Sequence, residues 1–278
     1  MVTVKVKEQD YWVQASKRRN NLFQQSINKK FKPIKQQYRS SYSNIYDNLS
    51  LFFGKYGTPD RNTVIVTPEN STKIMNRTER KAFQKKAERI KQKVESTNDE
   101  LFKQRLNKYL NNKKQIRQNS LDLDNEYEIH KIFEKQESTL SKFLPIVYLG
   151  GYNLAQYDID KGYGFTKPPR GNLTERAINI LMNEPWSGDR FSSRIWKNKT
   201  RLNSTVKEII TRGFIQGTHV NAMADELAKR MNSSRSNALR LIKAETTHVV
   251  GQANFEACKD AGFEKMQVVS VPSDKYHF

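Results

Sequence analysis

The sequence predicts a mainly α-helical protein. Apolar residues recur every three or four positions over most of the 278 residues, which is the period of an amphipathic helix. Asn76 is followed three residues later by Glu79, which is the spacing of a helix capping box. Only 36% of the residues are hydrophobic and the mean hydropathy is −0.83, so the helices should be extended and carry narrow apolar stripes.

The charge balance is strongly basic. The chain has 49 Lys and Arg against 29 Asp and Glu, which gives a net charge of +20 and a pI of about 9.9. Charge of this size bears on solubility and on partners rather than on fold, and it favours a polyanion such as nucleic acid. No stretch approaches the ~18 apolar residues of a membrane span, so no such segment is expected. The N-terminus lacks the apolar core of a signal peptide and Cys258 has no second cysteine to pair with, so we expect synthesis in a reducing compartment.

Residues 1–144 are predicted to form a basic region of extended helices. An aromatic stripe over 38–53 predicts a helix ended by Gly54 and Gly57, and a short β-branched run follows at 63–67. A long helix then begins after Asn76, with apolar positions in alternating steps of four and three: Phe83, Ala87, Ile90, Val94, Thr97 and Leu101. This heptad-like seam must pack either on another helix of the same chain or on another subunit, so self-association through residues 83–101 is one expectation.

The same helix carries a dense set of basic side chains away from the seam. We take these as candidate contacts to DNA phosphates, and a solvated helix face is the competing interpretation. The residues are Lys85, Lys86, Arg89, Lys91 and Lys93.

The remaining chain is predicted to form a connector and a helical module. Residues 145–172 are rich in Gly, Pro and Tyr without a sustained period, which predicts an irregular connector. Residues 173–278 are predicted to form a compact module of four helices, with separate helices before and after Ser233, and a short β segment after Gly262.

A short block in this module concentrates aromatic residues. The run PWSGDRFSSRIW, from Pro185 to Trp196, places Trp186 in a turn, Phe191 at a helix start and Trp196 within that helix. Each indole can bury about 150–250 Å², so these rings are candidate anchors for the core or for a partner. The spacing predicts that Trp186 folds back over the helix that carries Trp196.

The block resembles the P-W-S-G-x-x-F-S-x-R-I-W signature of minor head proteins of tailed bacteriophages, the head-morphogenesis proteins encoded beside the portal. The stretch Tyr157–Phe165 resembles the family's tyrosine-rich approach, residues 211–262 resemble its three-helix run, and Asp10–Trp12 resembles its opening Y-W. The similarity covers about 145–265 well. At the position of the family's R-T-E motif this chain has Lys-Ala-Glu, so only Glu245 is kept. The part of this chain that corresponds to the family's cysteine-containing segment contains no cysteine.

The resemblance implies a structural protein of a virus head rather than an enzyme, without a cofactor. Such a protein would be made in the host cytoplasm, would lie inside the head against the portal protein and the capsid interior, and would aid head assembly, DNA packaging or ejection. Trp186, Phe191, Trp196 and Glu245 are the candidate partner-binding or structural anchors. The basic charge independently favours sequence-independent DNA binding, because packaged DNA is the dominant polyanion at that place.

Two other functions remain open from the sequence. One is a metal-dependent nucleic-acid-processing enzyme that would use Glu245 and His248, which share a helix face at i,i+3, with Asp274 and His277. The other is a free cytosolic nucleic-acid-binding protein. The sequence contains none of the common catalytic motifs, such as G-x-S-x-G or H-E-x-x-H, so no catalytic or metal-binding residues are assigned.

Overall fold

The computed structural model confirms the mainly α-helical class. It describes residues 8–61, 63–164, 175–186 and 188–263. The elements in chain order are α1 Gln9–Tyr56, β1 Thr58–Asp60, β2 Thr63–Ile65, α2 Pro68–Thr72, α3 Arg77–Val94, α4 Glu100–Asn111, α5 Arg117–Tyr163, α6 Glu175–Asn183, α7 Phe191–Gln216 and α8 Val220–Asp260. The β1 and β2 strands form a two-stranded antiparallel sheet in which Thr58 pairs with Ile65.

The chain divides into two compact units. Unit 1 comprises the described parts of Met1–Lys32, Ser138–Phe191 and Leu239–Phe278, and unit 2 comprises those of Pro33–Glu137 and Ser192–Ala238. The sequence predicted regions 1–144, 145–172 and 173–278 instead. The predicted C-terminal module is divided between the units, since α7 from Ser192 onward and the first part of α8 belong to unit 2.

Unit 1 is built from long helices that approach closely. Tyr152 of α5 donates to the Asp260 carboxylate of α8 at 2.6 Å, and Gln156 donates to the Ala257 carbonyl at 2.8 Å. A Cβ added at Gly151 would lie 3.1 Å from the Cβ of Ala253, so glycine permits the contact between these helices. The buried apolar residues of the unit include Phe23, Ile27, Phe143, Leu144, Val147, Ile159, Ile242 and Val249.

The prediction of an irregular connector over 145–172 is wrong for the part that the structure describes. Helix α5 continues through Pro145 and the glycines to Tyr163, so residues 145–163 are helical, and 165–172 lie outside the described residues. The physical reason is that Gly162 serves packing rather than a turn, because a Cβ there would meet the Trp12 ring at 2.3 Å. The helix after Asp158 is also anchored, since Arg18 and Arg19 both form ion pairs with that buried carboxylate.

Unit 2 contains the predicted seam. The capping box at the start of α3 is confirmed, because Asn76 and Glu79 exchange side-chain to backbone hydrogen bonds of 2.9 Å. The seam is buried in a cluster with α4 and α5, whose members are Met75, Phe83, Ala87, Ile90, Val94, Phe102, Leu106 and Leu123.

The helix that begins after Asn76 ends before the last two positions of the predicted seam, Thr97 and Leu101. Helix α3 stops at Val94, Asp99 caps a separate α4, and Leu101 is 50% exposed while Phe102 is buried. The seam up to Val94 is covered by helices of the same chain, whereas Leu101 is exposed, so the self-association expected through 83–101 stays a prediction.

Helix α8 is also longer than predicted. It runs without a break from Val220 to Asp260, so the two predicted helices before and after Ser233 are one. The serines there are satisfied within the fold, since Ser236 donates to the Asn232 carbonyl at 3.1 Å and Ser234 hydrogen-bonds the Tyr38 hydroxyl at 2.8 Å. The predicted β segment after Gly262 lies outside the described residues.

Candidate functional site

Trp186 is tied to helix α8 within unit 1. Its indole Nε1 donates to Oε2 of Glu245 at 3.0 Å, and its ring stacks on His248 with centroids 4.3 Å apart and planes 9° from parallel. Glu245 and His248 share a face of α8 because they are three residues apart. The structure therefore gives Trp186 two partners on α8, whereas the sequence predicted packing on α7.

The Trp186 cluster presents an aromatic surface above a buried carboxylate. Glu245 is only 3% exposed, while Trp186 remains 39% exposed. The indole N–H satisfies a charged acceptor and the exposed part of the ring stays accessible, which is the usual arrangement of an aromatic anchor at an interface. Phe191, the first residue of α7, is half-buried.

Trp196 lies in unit 2, beside a buried ionic cluster. Its ring stacks on His130 with a centroid distance of 5.5 Å and an interplanar angle of 25°. His130 Nδ1 lies 2.8 Å from Oδ2 of Asp99, and the Lys199 ammonium lies 3.0 Å from the same oxygen and 2.6 Å from Oε1 of Glu126. The exposed fractions of these four ionisable residues are at most 3%.

The cluster pairs two carboxylates, Asp99 and Glu126, with two cations, Lys199 and Arg105. Arg105 Nε lies 2.9 Å from the second oxygen of Glu126, and Asp99 also accepts from the Phe102 backbone N–H as the cap of α4. Burial alone would raise the pKa of Asp99, but the hydrogen bond with His130 and the Lys199 ammonium outweigh it and lower that pKa. We interpret the cluster as structural, with Trp196 covering it.

Sequence reasoning missed this cluster, although one signal pointed to it. Lys199 occupies an apolar position of α7, four residues after Ile195 and three before Leu202, both of which are buried. A lysine in such a row is buried only when carboxylates pair with it.

The five predicted DNA-binding residues lie on α3 in unit 2 but differ in surroundings. Lys85, Arg89 and Lys93 are exposed, and Lys91 is half-buried. Lys86 is exposed but forms an ion pair of 2.8 Å with Asp124, which partly neutralises it. Sequence reasoning left out two further exposed cations of the same helix, which the four-residue spacing could have revealed: Arg77 and Lys81.

Two of the four residues of the alternative metal site, Glu245 and His248, lie in the described part of the chain. Within residues 8–263, apart from the short gaps, no group of three His, Cys, Asp or Glu side chains is placed to hold a metal ion. Asp274 and His277 lie outside the described residues. Cys258 is half-buried, and burial raises the pKa of its thiol. No helix in the described part is long and apolar enough to cross a membrane.

Comparisons of the chain with protein-family models, with curated proteins and with solved structures find no match. The resemblance to phage minor head proteins therefore rests on the sequence motifs quoted above.

Proposed function

We propose that the protein is a structural minor head protein of a tailed bacteriophage, which lies inside the head beside the portal and binds DNA without sequence preference. The observation that carries this proposal is the run from Pro185 to Trp196 and its resemblance to the family signature. The hydrogen bond from Trp186 to Glu245 supports it, because it joins two of the stretches in which the resemblance lies.

The role of the block in this proposal is attachment. Trp186 is 39% exposed, and we assign this exposed part to the contact with the portal or the capsid interior, while Glu245 and His248 hold the ring in position. Tryptophan in a fixed orientation loses little conformational entropy on binding, which suits a contact made by few copies.

The DNA-binding part of the proposal rests on charge. A net charge of +20 in a head interior would meet phosphates at high density, and each phosphate contact releases counterions. Exposed lysines and arginines on α3, including Lys85, Arg89 and Lys93, supply such contacts. Phosphate contacts carry no sequence information, so we expect binding to any duplex.

Genetic interruption tests the proposal. A phage with an early stop codon in the gene for this chain should yield fewer infectious particles. Expression of the chain from a plasmid should restore the yield. A control plasmid with the same stop codon should not restore it. An unchanged yield of particles with unchanged DNA content, with the chain detected only in the host cytoplasm, favours the free nucleic-acid-binding protein instead.

A further inference from the structure

The exposed face of α3 carries a continuous row of cations, which we call the α3 stripe. Its members follow one another at intervals of four residues and each side chain is exposed: Arg77, Lys81, Lys85, Arg89 and Lys93. Each step of four residues advances about 6 Å along the helix axis and about 40° around it, so the row extends over about 24 Å and covers about 160° of the helix surface. The row lies opposite the buried seam that begins at Phe83.

The stripe is not neutralised within the described part of the chain. No described carboxylate forms an ion pair with any of its five members, and the Lys93 ammonium lies 5.8 Å from the centre of the Tyr127 ring. Helix α3 contains two acidic residues. Glu79 is half-buried and engaged by the capping box, while Glu88 is exposed beside the stripe.

This arrangement is unfavourable for the isolated helix. Successive like charges at i,i+4 repel one another, and Arg77 stands at the positive end of the helix dipole. An external polyanion relieves both costs, because it places negative charge along the whole row.

The geometry selects the kind of polyanion. A small anion reaches one or two members of a row of this length, whereas duplex DNA carries one negative charge per ~1.7 Å of axis and can contact all five. A helix that lies on a membrane must insert its apolar face. The apolar face of α3 is occupied by α4 and α5, with Phe83 and Val94 buried.

We infer that the α3 stripe is the surface that contacts the phosphodiester backbone of duplex DNA, with Lys86 and Lys91 outside it. This assignment rests on the proposed DNA binding and specifies where it occurs. Lys86 is paired with Asp124 and Lys91 is half-buried, so both differ from the exposed, unpaired members of the row.

The test is a salt titration of DNA binding by the full chain, measured by fluorescence anisotropy with a labelled duplex of random sequence. One variant changes the five stripe residues to Gln. The matched control changes five exposed lysines of α1, for which no ion pair is described, and removes the same charge: Lys17, Lys29, Lys30, Lys32 and Lys35. Circular dichroism checks that both variants keep the wild-type helix content.

The wild type should show a steep fall of log affinity with log salt concentration. The stripe variant should lose about 4.5 units of that slope, because each of five neutralised phosphates contributes about 0.9, and the α1 variant should keep most of it. If the α1 variant loses the slope and the stripe variant keeps it, DNA binding stands and the stripe is the wrong surface. A wild type that binds no duplex refutes the proposed DNA binding itself, and binding to anionic vesicles without binding to DNA overturns the choice of partner.

Discussion

Replacing Lys199 by Met should destabilise the protein strongly through unit 2. Methionine keeps a long unbranched side chain beside Phe102, whose ring centre lies 4.7 Å from the ammonium, so the substitution mainly removes the charge. Asp99 and Glu126 would then share a buried site with one positive partner fewer. Breaking a buried ion pair from one side costs about 3–5 kcal/mol, and Lys199 is only 1% exposed, so solvent screening does not reduce this figure.

The assay is denaturant unfolding of the full chain, followed by circular dichroism and tryptophan fluorescence. Arg212→Met is the matched control on the same helix, because Arg212 also pairs with a carboxylate, Glu226 at 2.7 Å, but the two side chains are 42% and 39% exposed. That variant should cost much less than Lys199→Met. Adding Glu126→Gln to Lys199→Met should recover part of the loss, because it removes one of the two stranded charges.

The same substitution should change the response to acid. The pKa of Asp99 is lowered in the folded state, so its stabilising contribution is present above the unfolded pKa and is lost as pH falls towards the folded pKa. Removing the Lys199 ammonium raises the folded pKa, so the variant should unfold at a higher pH than the wild type. The structural interpretation of the cluster is refuted if Lys199→Met costs no more than Arg212→Met and leaves the acid transition unchanged.

Two further predictions concern unit 1. Trp186→Phe keeps the aromatic ring but removes the N–H that Glu245 accepts, so it should cost about 1–2 kcal/mol in denaturant unfolding; an unchanged stability would show that this hydrogen bond contributes nothing. Gly162→Ala places a methyl group against an indole ring 2.3 Å away and should cost about 1–3 kcal/mol. Gly150→Ala, with open space around it on the same helix, should be neutral or stabilising by up to about 1 kcal/mol, and equal effects at both glycines would contradict the packing account.

The features that sequence predicted well are local ones. The helical class follows from periodicity, and the capping box follows from Asn76 and Glu79, because both of its hydrogen bonds join residues three apart. The apolar positions from Phe83 to Val94 are buried as the seam requires. These signals are contained within a few turns of helix, so one sequence suffices to detect them.

The predicted helix boundaries were wrong where tertiary packing outweighed a local preference. Glycines in 145–163 indicated a connector, yet Gly151 and Gly162 are needed because Ala253 and Trp12 pack against them. Pro145 stands inside α5 although proline removes a backbone hydrogen bond there. The residues next to the two glycines in the sequence give no indication of either contact.

The site residues were identified one by one but not as partners. Trp186 and Glu245 are 59 positions apart, and Lys199 and Glu126 are 73 apart, so no spacing rule pairs them. The position of Lys199 in an apolar row was a local signal of burial, but it did not reveal which carboxylates would pair with it.

The most direct test of the proposed head protein is quantitative mass spectrometry of purified, nuclease-treated phage particles. The proposal predicts that the chain is present in every DNA-filled preparation at a low and constant ratio to the portal protein. It also predicts that Trp186→Ala lowers this ratio more than it lowers the amount of soluble chain in the host. Absence of the chain from purified particles, with normal amounts in the host cell, would contradict the proposal.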